Sequence, residues 1–143
     1  MTIHAVEFSK LERELAKTHK SPLDYLASKI GRVYVVAITR DGCPACKKQK
    51  PKLDKLASTV AEKYGSKVGF TRIHVKCRQG SIEESLRSKD VFRHYFYPTN
   101  LVLIRTRDKG AIEYYRNVTP SMKELEKNIE NALEVAAMIK DES

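Results

Sequence analysis

The apolar positions of this chain change period several times, and each change marks an element. Residues 32–39, "RVYVVAIT", form an almost unbroken β-branched and aromatic run, the pattern of a strand buried on both faces of a mostly parallel sheet. The run ends at Arg40, Asp41 and Gly42. A helical spacing follows, with Leu53, Leu56, Val60 and Tyr64 on one face and Gly65 as the stop. "KVGFTRIHV", 67–75, predicts a second strand, and the capping-box spacing of Ser81 and Glu84 predicts a helix to about His94. "NLVLIRTRDKGAIEYYRN", 100–117, reads as an antiparallel hairpin turning at Asp108 to Gly110. Thr119 and Pro120 then start a final amphipathic helix, with Leu125, Ile129, Leu133 and Ala136 on one face.

Upstream, "SKLERELAKT", 9–18, places Leu11 and Leu15 one helical turn apart, with Ser9 as the expected cap. "SPLDYLASKIG" repeats the signature, with Ser21 as N-cap, Pro22 at the first helical position and Gly31 as the stop. Residues 2–8 leave open whether an edge strand comes first. The order β-α-β-α-β-β-α, after one or two leading helices, implies an α/β fold. Its first two strands form a right-handed parallel pair, its last two an antiparallel hairpin, and helices cover both faces of the mixed sheet. With no repeats or linkers, 1–143 is expected to be one domain: a mainly helical N-terminal extension over 1–31 and a core over 32–140.

Composition narrows the class. With 143 residues, 41% hydrophobic and 31% charged, the chain can bury an ordinary core and is too apolar to be disordered. No apolar run approaches the roughly 20 residues of a membrane span, and the N-terminus is charged where a signal peptide is apolar. A cytoplasmic location without membrane attachment is expected. The net charge of +9 favours acidic partners. Because the Lys and Arg residues are spread out with Glu between them, nucleic acid is not an expected partner.

Three cysteines are an odd number, and in a cytosolic chain a close pair points to redox or metal chemistry. The pair lies in "TRDGCPACKKQKP", residues 39–51. Cys43 falls where a strand ends and a helix begins, so unpaired backbone N–H groups and the positive end of the helix dipole face its sulfur. Both favour thiolate over thiol. Six basic residues from Arg40 to Lys55, Lys47 among them, stand against two acidic ones and add to that bias. Cys46, one turn further, can bond to Cys43 and release a mixed disulfide formed there. Cys43 is then the attacking nucleophile and Cys46 the resolving thiol. Pro44 starts the helix, Ala45 is the smallest side chain that keeps it helical, and Pro51 should kink it.

A rival is zinc, since Cys43, Cys46, His74 and Cys77 make a formal Cys3His set. His74 and Cys77, three apart on one extended strand, would point to opposite faces, so both reach one metal only if the chain turns after Val75. Cys77 alone reads as a small buried residue at a strand end, or as a partner for a regulatory disulfide. His4, His19 and His94 have no partner pattern, and the aromatic run Phe92 to Tyr97 reads mainly as packing.

"CPACKKQKPKLDKLA" resembles the active-site helix of the thioredoxin superfamily, in which a helix-kinking proline follows the second cysteine by five residues. "FYPTNLVLIR" resembles that superfamily's cis-proline loop and the strand after it, and its Tyr-Pro-Thr is similar to protein disulfide isomerase domains. The resemblance covers roughly residues 32–140. It implies a thioredoxin-like fold with a central mixed four- or five-stranded sheet and, here, an extra N-terminal helical segment. It implies Pro98 as the cis-proline and Tyr97 as the backbone that meets a substrate strand. Two departures stand out: Gly42 replaces the superfamily's tryptophan and leaves a more open rim, and Ala37 stands where thioredoxins bury an acid. Arg72 takes the place of the lysine that partners that acid.

The expected function is thiol–disulfide exchange on protein disulfide or dithiol substrates, with no cofactor beyond the Cys43–Cys46 pair and no metal. Tyr97, Pro98 and Gly42 would shape the substrate groove, while Pro44, Ala45, Arg40 and Lys47 tune the sulfur. An electron-donor reductase and a monomeric state complete the expectation. The alternative is a non-enzymatic module that binds metal or a partner on the same scaffold.

Overall fold

A computed structural model describes residues 3–142; positions 1, 2 and 143 of the expected extension and domain lie outside it. The first element among the described residues is a strand, β1 (His4–Glu7), that runs directly into helix α1 (Phe8–Thr18). Glu7 is therefore the N-cap, not Ser9, and the helix starts on the fully buried Phe8. Burying that ring decides the boundary over Ser9's capping preference.

Helix α2 (Pro22–Leu26) has the expected N-cap, Ser21 Oγ accepting from the Asp24 N–H at 3.3 Å. It stops at Leu26, short of Gly31. Asp24 accepts a hydrogen bond from the Ala111 N–H at 2.7 Å and lies 3.3 Å from the Arg105 guanidinium. A side chain at Gly110 would collide with that carboxylate, its Cβ falling 2.5 Å from Asp24 Oδ1. The short helix is thus fastened to the hairpin turn.

Strand β2 (Val33–Arg40), helix α3 (Pro44–Tyr64), a 3-10 turn (Gly65–Lys67) and strand β3 (Val68–Val75) form the first crossover. Then come α4 (Glu83–Phe92), the hairpin β4 (Thr99–Arg105) and β5 (Ala111–Val118), and α5 (Met122–Asp141). The sheet order is β1-β3-β2-β4-β5. Both pairings of β3 are parallel, whereas β2–β4 and β4–β5 are antiparallel. The sheet therefore has five strands, and β1 supplies the fifth.

Alternation along β2 and β4 divides the core. Val33, Val35, Ala37, Val102 and Ile104 face α3 and α5, among Leu53, Val60, Leu125 and Ile129. Val36, Ile38, Leu101 and Leu103 face the other way, with Phe8, Leu11 and Phe92. Period two in the strands meets helical stripes on both sides, which is why the central strands read as nearly continuous apolar runs.

Two further boundaries differ from expectation. Ser81 and Glu84 do not form a capping box. Ser81 pairs its backbone with Arg78, its hydroxyl donates to Glu83 Oε2 at 3.1 Å, and Glu84 accepts from the Lys76 N–H. Helix α4 begins at Glu83 and ends at Phe92, with Arg93 in the left-handed conformation. Helix α5 is capped by Ser121, which accepts from the Glu124 N–H at 3.0 Å, so Thr119 and Pro120 precede the helix.

Candidate active site around Cys43 and Cys46

Strand β2 delivers the chain to a turn in which Gly42 takes φ +67° with open space around it, a conformation glycine adopts without steric cost. Cys43 is then the N-cap of α3 and Pro44 its first residue. Cys43 and Cys46 are joined by a disulfide, with their Cα atoms 5.2 Å apart. Both are buried. The Cys46 N–H donates to Cys43 Sγ at 3.1 Å, so the first turn of the helix directs a backbone donor at that sulfur. In the reduced state this contact and the helix dipole favour the thiolate.

The second wall comes from the loop before β4. The Tyr97–Pro98 peptide is cis, and the Tyr97 carbonyl oxygen lies 3.5 Å from Cys43 Sγ. Several side chains hold this loop. His94 is buried, with Nε2 at 3.0 Å from Ser88 Oγ and Nδ1 at 3.1 Å from the Phe96 carbonyl. Burial, helped by the nearby Arg116 and Lys89 charges, keeps its pKa below the ordinary value, so it serves as a neutral ring that pins the loop. Tyr97 Oη bonds to Ser85 at 3.1 Å, and Arg40 sits over the Tyr97 ring at 5.2 Å. Arg40 thus reaches the site through Tyr97. Lys47 is exposed, as are Lys48, Lys50, Lys52 and Lys55.

Ala37 faces α3, and its register partners are Arg72 on β3 and Asn100 on β4. Arg72 pairs with Asp54 of α3 at 3.0 Å. Asn100 is fully buried and exchanges two hydrogen bonds with the buried Gln49 of α3, at 3.0 and 2.8 Å. Neither was expected at the site. The signal was present, since each is a polar residue on an apolar face: Gln49 is one turn past Cys46, and Asn100 opens the apolar run of β4.

The four side chains of the formal zinc set do not converge. His74 Nε2 lies 2.7 Å from Asp41 Oδ1 and its Nδ1 lies 3.0 Å from Glu7 Oε2. Cys77 is half-buried beyond the end of β3, its N–H donating to Asp41 Oδ2 at 3.3 Å. Among the described residues there is no group of three or more His, Cys, Asp or Glu side chains placed to hold a metal. Asp41 instead ties the turn before Cys43 to the end of β3, and its own N–H donates to the Val75 carbonyl at 3.1 Å.

A sheet of this order, with a CxxC disulfide at the N-terminus of its first crossover helix and a cis-proline beside it, is the thioredoxin fold. Solved structures agree with that assignment. A thioredoxin from Nicotiana alata superposes with a TM-score of 0.58 at 22% identity, over 92% of this chain and 94% of that one. The Trx4 domain of ERdj5 gives 0.62 at 14%, over 94% and 98%. A complex of ferredoxin:thioredoxin reductase with thioredoxin f2 gives 0.56 at 16%, over 92% and 94%. No family model matches the chain, and no curated protein matches it. No helix among the described residues is long and apolar enough to cross a membrane.

Proposed function

We propose that this chain is a thiol–disulfide oxidoreductase acting on protein substrates. The observation that carries the reading is the Cys43–Cys46 disulfide at the head of α3, beside the Tyr97 carbonyl. In the reducing direction the Cys43 thiolate attacks a substrate disulfide. One substrate sulfur leaves as a thiolate while a Cys43–substrate mixed disulfide forms. Cys46 then loses its proton and attacks Cys43 Sγ, which closes the Cys43–Cys46 disulfide and releases the second substrate thiolate. Two electrons pass from the pair to the substrate, and the two thiol protons go to solvent or to the departing sulfurs. A dithiol electron donor returns the pair to its reduced form, so no other cofactor is required.

Substrate chain would lie against Tyr97 and Pro98, beside the open rim at Gly42. Next to them Tyr95 and Phe96 are exposed by 80% and 66%. This apolar rim, flanked by Arg40 and Lys89 against the Tyr97 ring, suits protein substrates with apolar segments and acidic neighbours. Cytoplasmic reductants would keep the pair working as a reductase.

Insulin reduction by the wild-type protein and by Cys43→Ser tests the reading. Turnover is expected for the wild type and none for the variant. A module that only binds metal or a partner would show no cysteine-dependent turnover. Equilibration against glutathione fixes the direction, because reduction requires a potential near that of thioredoxin and oxidation a much higher one.

A further inference from the structure

The reacting cysteines and the cis-proline sit on separate elements, α3 and β4, and a pair of buried amides joins those elements. Gln49 Nε2 donates to Asn100 Oδ1 at 3.0 Å, and Asn100 Nδ2 donates to Gln49 Oε1 at 2.8 Å. Gln49 is 6% exposed and Asn100 0%. Gln49 lies three residues after Cys46, on the same face of the helix. Asn100 lies two residues after Pro98, in register with Ala37 and on the same face of the sheet. The pair therefore spans from the helical turn that holds Cys46 to the strand that follows Pro98.

Ala37, the register partner of Asn100, adds only a methyl group on this face, so the polar contact between α3 and the sheet here is the amide pair. An amide does not ionise near neutral pH and carries no net charge to raise or lower a neighbouring thiol. Leaving either partner unpaired in this buried setting would be costly, so each fixes the other.

We propose that Gln49 and Asn100 form a non-titrating clamp, which positions the Cys46 turn against the Pro98 strand. The proposal rests on the reading of Cys46 as the resolving thiol. In the resolving step the Cys46 S–H proton goes to solvent or to the departing sulfur, its thiolate forms the bond to Cys43 Sγ, and the Cys43–substrate bond breaks with the electron pair leaving on the substrate sulfur. The two amides are positioning residues, acting through the placement of Cys46.

The test begins in a Cys43→Ser, Cys77→Ser background, where Cys46 is the only thiol of the three. Thiolate absorbance followed against pH is expected to show a single ionisation. Asn100→Asp introduces a carboxyl opposite Ala37, and the curve is expected to become two-step or to move upward by about one pH unit. Gln49→Glu does the same from the helix side and serves if Asn100→Asp fails to fold. Stopped-flow measurement with both active-site cysteines present adds a kinetic readout. The Gln49→Leu, Asn100→Leu double variant should lengthen the mixed-disulfide lifetime by about tenfold or more. A two-step curve in the background protein, an unchanged curve in the folded acid variants, or a wild-type lifetime in the folded double-leucine variant would each overturn the proposal. Absence of cysteine-dependent insulin turnover would instead remove the functional reading and leave the titration result standing.

Discussion

His74 stands near the end of β3 with a carboxylate on each side of its ring, Glu7 from the edge strand and Asp41 from the turn before Cys43. Partial burial pulls its pKa down, but the hydrogen bonds to Glu7 and Asp41 outweigh that, and the net shift is upward. For Asp41 desolvation acts upward, and the hydrogen bonds from His74 and the Cys77 N–H more than reverse it. A raised histidine stabilises the fold fully below its ordinary value of about 6.5, and this contribution is lost as pH rises through the folded value. A lowered aspartate contributes above its ordinary value of about 3.9, and that is lost as pH falls through the folded value. The network is therefore strongest between about pH 4 and about pH 6.5. Urea unfolding of wild type and His74→Gln should differ most near pH 5.5 and converge as pH rises through the raised folded value of His74. A difference that does not change with pH would contradict this account. The sequence marks His74 as a candidate ligand. Only the folded chain shows that its partners come from residues far upstream, Glu7 meeting Nδ1 and Asp41 meeting Nε2.

At the scale of elements, burial overrode capping at the start of α1. Ser21 and Ser121 cap α2 and α5 as their side chains allow, while Ser9 lies inside a helix begun by the buried Phe8. The apolar stripes themselves were legible, because helical spacing against a sheet depends on local period alone. Ile129, on the stripe of α5 and 0% exposed, is packed into the α3 side of the core. Ile129→Ala should cost about 2–5 kcal/mol in denaturant unfolding, as expected for a large-to-small change in a core. The loop before β4 makes a different prediction. Tyr95 and Phe96 pack little, so Tyr95→Ser with Phe96→Ser should leave stability within about 0.5 kcal/mol. The same change should raise KM for a protein disulfide while leaving the reduction of a small aromatic disulfide unaltered. An equal loss on both substrates would show that the loop acts on the cysteines instead of on docking.

For the whole molecule, the charge of +9 sets a field that the fold leaves on the surface, since lysines 47, 48, 50, 52 and 55 are all exposed along α3, the helix that the disulfide heads. Exposed charges are screened over about 8 Å at physiological salt. The kcat/KM for an acidic protein disulfide should therefore fall as salt rises, while that for a basic one stays level or rises. Equal salt dependence for both would remove the electrostatic reading.

The sequence by itself determined the periods, and with them the central strands, the crossover helix and the hairpin. It also placed Cys43 where a strand meets a helix, because all of these depend on residues close together in the chain. Tertiary structure decided what depends on distant residues meeting. It added residues 4–7 to the sheet as its fifth strand, paired His74 with Glu7 and Asp41, and set Asn100 against Gln49 across 51 residues. Polar residues on an apolar face show that a partner is needed; only the register of β4 against β2 and the packing of α3 on that face decide which partner it is.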